Sequence, residues 1–196
     1  RSLLALGGRS IVIIEDEDKV IQVVRHWVES FVVGLNLCPF AKRELAKGSV
    51  HFVAATSTTN EQLLMVLQRE LERLNAEPAI ETTLVIHPDI LQDFHDYNQF
   101  LGVADNLHVQ MELEGVYQIA SFHPVYQFGG TQPQDAENYT NRSPFPMLHL
   151  LREASLERAI ADYPDVDQIP ARNISLMNGL GQDKLKNINR SNIKSE

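Results

Sequence analysis

A small α/β domain, with a mainly parallel sheet of about three strands and helices packed on it, is the fold this sequence predicts. Three observations carry that expectation. Helical and strand-like hydrophobic periods alternate along the chain. Each strand is separated from the next by a helical segment, which favours parallel pairing through right-handed crossovers. The length of 196 residues suits one domain with a sizeable core. A ferredoxin-like α+β sandwich, containing an antiparallel pair, is the alternative. Residues 16–180 are expected to form the domain, after an N-terminal tail over 1–15 and before a disordered tail over 181–196.

The first helix is expected from Asp16 to Val33, where Val20, Val24, Trp27, Val28 and Phe31 recur at helical spacing. Gly34 suits a left-handed closing position. "VHFVAAT" reads as a strand, "NEQLLMVLQRELERLN" as a helix with Leu63, Leu67, Leu71 and Leu74 on one face, and "IETTLVIHP" as a second strand. Asp89 is expected to cap a third helix, with Gln92 completing a capping box. Gly115 precedes a third strand, "VYQIASFHP", and a long polar loop runs from Val125 to Asn141. Ser143 followed by Pro144 reads as the start of another helix. A last helix ends near Gly179, and "GQDKLKNINRSNIKSE" has little to bury.

A formal net charge of -9, with no basic run to offset it, argues against a nucleic-acid ligand. No apolar run reaches the roughly 20 residues needed to cross a bilayer, so no membrane association is expected. The single cysteine excludes an internal disulfide and fits a reducing, cytoplasmic setting. The start "RSLLALGGRSIVII" is either a frayed tail or a remnant of a transit peptide.

Three pieces of sequence could carry chemistry. Two strands end in the same dipeptide, at His87-Pro88 and His123-Pro124. In a parallel sheet both histidines would emerge at the carboxyl edge, where open α/β sheets bind ligands. They could ligate a metal or serve as acid and base, or they could simply bond nearby carbonyls. Cys38 precedes "PFAKREL", and as the N-cap of a short helix it would be a candidate nucleophile or redox thiol. It could equally be a small buried apolar residue. Asn36 lies in the same turn, as a turn former or a polar contact.

The third piece is "NYTNRSPFPMLHLLRE". Arg142, just before the expected helix start at Ser143, offers a planar fork and free amides to a carboxylate or phosphate. His149, Arg152 and Glu153 would share a face of the helix that follows. Tyr139 lines the same pocket or anchors the loop.

Together, "VVGLNLCPFAK", "TTLVIHP", "DYNQFL", "IASFHPVYQF" and "NYTNRSPFPMLHLLREAS" resemble an uncharacterised bacterial family, domain of unknown function 1415. The resemblance covers roughly Asp18 to Leu180 and implies an intracellular bacterial protein, with no activity attached.

Three functional readings follow. The first is an enzyme acting on a small anionic molecule. In it Cys38 is the nucleophile, His87 or His123 the base, and Asn36, Tyr139, Arg142, Ser143, His149 and Arg152 contact the substrate. The second is a metal site, zinc or another divalent ion, using His87, His123 and Cys38. The third is a non-catalytic small-molecule-binding or interaction domain.

Overall fold

The computed structural model describes residues 17–163 and 165–194. The expectations for residues 1–16 lie outside them. The first helix, α1 (Glu17–Trp27), buries Val20, Val24 and Trp27. The same row of side chains continues through a π-helical turn, Val28–Val33, which buries Val28 and Phe31. Gly34 ends it for a different reason from the one expected. Its φ is -59°, an ordinary right-handed value. Yet a Cβ there would lie 2.1 Å from the Ser30 carbonyl oxygen, so the wide turn closes only over a residue without a side chain. The left-handed position belongs to Asn36, at φ 52°.

A short helix α2 (Ala41–Lys47) leads into β1 (Val50–Ala54). Helix α3 (Asn60–Ala76) is capped by Thr59, whose hydroxyl accepts from the Gln62 amide, and buries Leu63, Leu67, Leu71 and Leu74. Strand β2 (Thr82–Ile86) is buried along its whole length. Helix α4 (Phe94–Gln110) is capped by Asp93, not by Asp89. The intervening residues cannot join it, because Leu91 is left-handed at φ 58°. The Gln92 side chain instead donates to the Pro88 carbonyl. Strand β3 (Tyr117–Phe122) follows.

The main correction lies beyond Ser143. The expected helix there is a strand, β4 (Met147–Arg152), and only then does α5 (Glu153–Asp162) begin. The sheet has four strands in the order β1-β2-β4-β3. β1 and β2 are parallel, and β4 is antiparallel to both β2 and β3. The sheet is therefore mostly antiparallel in its pairings, not mainly parallel and three-stranded. The three expected strands nonetheless run in one direction, as helical crossovers require. β4 fills the gap between β2 and β3 and satisfies both backbone ladders there.

Helices cover both faces. On one side α3 and α4 pack on Val85, Tyr117, Leu148 and Leu150. On the other, α1 and the π turn meet Phe52, Leu84, Ile86 and Met147. That second layer also receives α6 (Ile169–Leu180) and α7 (Gln182–Lys194) through Met177 and Leu185. The segment expected to be a disordered tail is thus helical over 182–194, and Leu185, fully buried, holds it to the core.

Candidate functional site

The two strand-end histidines emerge at the same sheet edge, as their matching dipeptides suggest. Both face α4 and pack against Tyr97, at ring-centroid distances of 5.9 Å for His87 and 5.1 Å for His123. His87 Nδ1 lies 3.2 Å from the Ile90 carbonyl oxygen, and so carries the hydrogen. His123 Nε2 lies 3.0 Å from the Leu91 carbonyl oxygen, while its Nδ1 accepts from the Val125 amide. The rings therefore strap the left-handed loop that precedes α4. Burial pushes His87 down to about 4 and lowers His123, so both are neutral at pH 7. Each ring thus bonds a nearby carbonyl.

Cys38 is not with them. It lies two residues before Phe40, which occupies the N-cap position of α2, so the expected thiol cap is absent. The cysteine lines a cavity with Trp27, Phe122 and His149, on the face of the sheet opposite α4. Phe122 and His123, adjacent in the chain, point to opposite faces, and the sheet stands between the thiol and both strand-end histidines. A Cys38–His87–His123 catalytic group or metal site is therefore not assembled. Among the described residues no three His, Cys, Asp or Glu side chains are grouped to hold a metal ion.

The helix start expected to offer free amides at Ser143 is not formed, because the segment leads into β4. The Ser143 hydroxyl donates to the Phe145 carbonyl. Arg142 is buried, with its guanidinium donating to the carbonyls of Tyr126 (3.1 Å) and Pro133 (2.7 Å) and lying 4.4 Å from the centre of the Tyr139 ring. It clamps the loop internally, and Tyr139 is the anchor beneath it. Arg152 is similarly committed, donating to the Ile80 carbonyl, the Tyr117 hydroxyl and the Leu74 and Glu77 carbonyls. The exposed Asn36 turns the chain, and its carbonyl accepts from Arg172. On a strand, His149 and Arg152 fall on opposite faces, so the expected shared face with Glu153 does not exist.

His149 instead belongs to the cavity holding Cys38. This cavity measures about 290 Å³ and lies between the sheet and the layer formed by α1, the π turn, α2 and α5. Its walls are mostly apolar, with Trp27, Val28, Phe40, Leu84, Phe122 and Leu156 contributing. A void this size far exceeds the roughly 10–15 Å³ that a single water needs, and is more than a packing defect. His149 Nε2 lies 2.7 Å from the Thr82 hydroxyl, which itself donates its one hydrogen to the Leu150 carbonyl at 2.6 Å. Nε2 must therefore donate, which leaves Nδ1 a bare acceptor. Burial pushes His149 down to about 4. Trp27 Nε1 is buried without a hydrogen-bond partner.

A second cavity, of about 390 Å³, adjoins the first. Val32, Cys38 and Phe122 line both, and Glu137, Thr140, Asn141 and Asn173 add polar groups on the far side. Thr82, Trp27 and Phe122 escaped the sequence reading. The one available signal was the alternation in "MLHLLR", which puts His149 on the same face as Met147 and Leu151 once the segment is a strand.

No described helix is long and apolar enough to cross a membrane. A family model described as a protein of unknown function, DUF1415, matches residues 19–187. The chain belongs to that family. No curated protein and no solved structure matches it.

Proposed function

We propose that this member of the DUF1415 family binds a small, predominantly apolar molecule in the cavity beneath α1 and the π turn. The observation that carries the reading is the cavity itself: about 290 Å³, apolar-walled, with a few polar groups of fixed orientation. That combination is the usual form of a small-molecule site. The π turn supports it, since such turns are frequent at functional sites and Val28 and Val32 of this one form part of the wall. Binding of this kind replaces the small anionic substrate expected from Arg142.

A catalytic version keeps Cys38 as nucleophile with His149 in place of His87 or His123, because both line the cavity. Its weakness is the base. Holding His149 near 4 means that protonating it costs roughly 3 kcal/mol more than in water, so it is a poor proton acceptor at pH 7. Binding without chemistry is the reading we prefer.

Trp27 is the only tryptophan in the chain and stands in the cavity wall. Its emission therefore reports occupancy directly. Titration with a small aromatic hydrocarbon such as ethylbenzene is expected to shift Trp27 emission saturably and to slow alkylation of Cys38. A purified protein in which neither signal changes up to the solubility limit of the probe would refute the cavity as a binding site. Slow turnover of a bound ester or thioester, lost in Cys38→Ser while binding persists, would favour the catalytic version.

A further inference from the structure

The polar groups facing the cavity specify more than an apolar ligand, and this argument rests on the binding reading above. His149 is held as one tautomer. The Thr82 hydroxyl has a single hydrogen, and the Leu150 carbonyl at 2.6 Å takes it. Nε2, 2.7 Å from the same oxygen, then has to supply the hydrogen between them. Nδ1 keeps its lone pair and makes no hydrogen bond among the described residues. The ring packs on Phe122 at 6.1 Å between centroids, on the face of the sheet that forms the cavity floor.

Trp27 presents the opposite deficiency. It is 1% exposed, its Nε1 hydrogen has no partner, and its ring packs against the same Phe122 at 5.8 Å. A buried donor left unsatisfied is destabilising, and a ligand acceptor would relieve it. Two neutral groups of cavity-lining residues are thus unused, the acceptor His149 Nδ1 and the donor Trp27 Nε1, on rings that both pack against Phe122, while Glu81 Oε1 is a charged acceptor of the same lining that is also buried without a partner.

The geometry points to a ligand that is apolar, uncharged and equipped with both a hydrogen-bond donor and an acceptor: a hydroxyl-bearing molecule of the phenol or alcohol type. The donor serves Nδ1 and the acceptor serves Nε1. A carboxylate has no hydrogen for Nδ1, and an ammonium has no lone pair for Nε1. Either would also have to shed its hydration on entering a mostly apolar cavity, which is costly. A plain hydrocarbon fills the space and leaves both groups unsatisfied.

The test compares four probes of one shape on the full chain at pH 7 by calorimetry: 4-ethylphenol, ethylbenzene, 4-ethylbenzoate and 4-ethylbenzylammonium. We expect 4-ethylphenol to bind about fivefold tighter than ethylbenzene, as one or two neutral hydrogen bonds allow. Both ions should bind more weakly than ethylbenzene. His149→Phe should retain ethylbenzene and lose the preference for the phenol. Nitrogen chemical shifts of the imidazole, measured on the unmutated protein, supply a readout independent of any variant's folding. Nδ1 should be unprotonated in the free protein and should shift on adding 4-ethylphenol but not ethylbenzene.

Equal affinity for phenol and hydrocarbon, tighter binding of either ion, or a protonated Nδ1 in the free protein would overturn the inference while leaving an apolar site standing. If none of the four probes binds, the cavity reading itself fails, and this inference with it.

Discussion

Arg142→Ala should unfold more easily than the unmutated protein in the absence of any ligand. Arg142 is 9% exposed, and its guanidinium makes two charge-assisted bonds, to the Tyr126 and Pro133 carbonyls. Such bonds contribute about 1.5 kcal/mol each at the low end of their range. The contact with the Tyr139 ring at 4.4 Å adds about 0.5 kcal/mol. These contributions share one side chain and are not additive, so a loss of about 3 kcal/mol is expected. For a chain of this size, each kcal/mol moves Tm by about 2–4 °C, so Tm should fall by about 6–12 °C. Arg142→Lys keeps the charge but cannot span both carbonyls with one planar fork, and should lose about half as much. Thermal melts at matched ionic strength measure this. Limited chymotrypsin digestion adds a local readout, because Tyr126 and Phe128 lie in the loop the clamp holds. Unchanged Tm and digestion in both variants would refute the clamp. A defect that appears only with an anionic ligand present would restore the anion-site role.

Stability should also depend on pH through the buried histidines. His87 and His149 are held near 4 by burial, against 6.5 when unfolded. The unfolded chain therefore binds more protons between those values. The stabilisation is fully present above pH 6.5 and is lost as pH falls toward 4. At pH 5 each should have lost about 2 kcal/mol, visible as a lower urea midpoint, and His149→Phe should flatten that slope. Gly34→Ala should cost at least about 2 kcal/mol, because its Cβ would sit 2.1 Å from the Ser30 oxygen. It should also weaken probe binding by displacing Val32, and an unchanged Tm would show that the π turn yields easily. Glu70→Gln should cost only about 1 kcal/mol. Its carboxylate is fully buried, but Arg69 and Arg73 beside it are 59% and 38% exposed and can return to water. A loss above about 3 kcal/mol in urea denaturation would mean that the three act as a buried unit.

The helices α1, α3 and α4 were legible because their apolar residues repeat at helical spacing over two or more turns, a local property. The three co-directional strands were legible for a similar reason: each is a short apolar run bounded by turn residues and joined to the next through a helix. The equivalent positions of His87 and His123 also followed from sequence. Their commitment to the Ile90 and Leu91 carbonyls did not, because it depends on where the chain turns before α4.

Residues 143–152 mark the boundary. Ser143-Pro144 followed by "MLHLLR" satisfies helix-start chemistry and strand alternation about equally well. What decides between them is a vacancy between β2 and β3, two strands whose unpaired backbone groups must be satisfied by a segment distant in sequence. Filling that vacancy turned Arg152 toward α3 and His149 toward the opposite face. It set His149 against Thr82, 67 positions away, and so fixed both its tautomer and its place in the cavity with Cys38. By itself the sequence determined the helices α1, α3 and α4, the common direction of β1, β2 and β3, and which polar side chains have chemistry to offer. Only the tertiary structure decided which of those side chains meet, because a strand's faces are assigned by its neighbours' hydrogen bonds and not by its own residues.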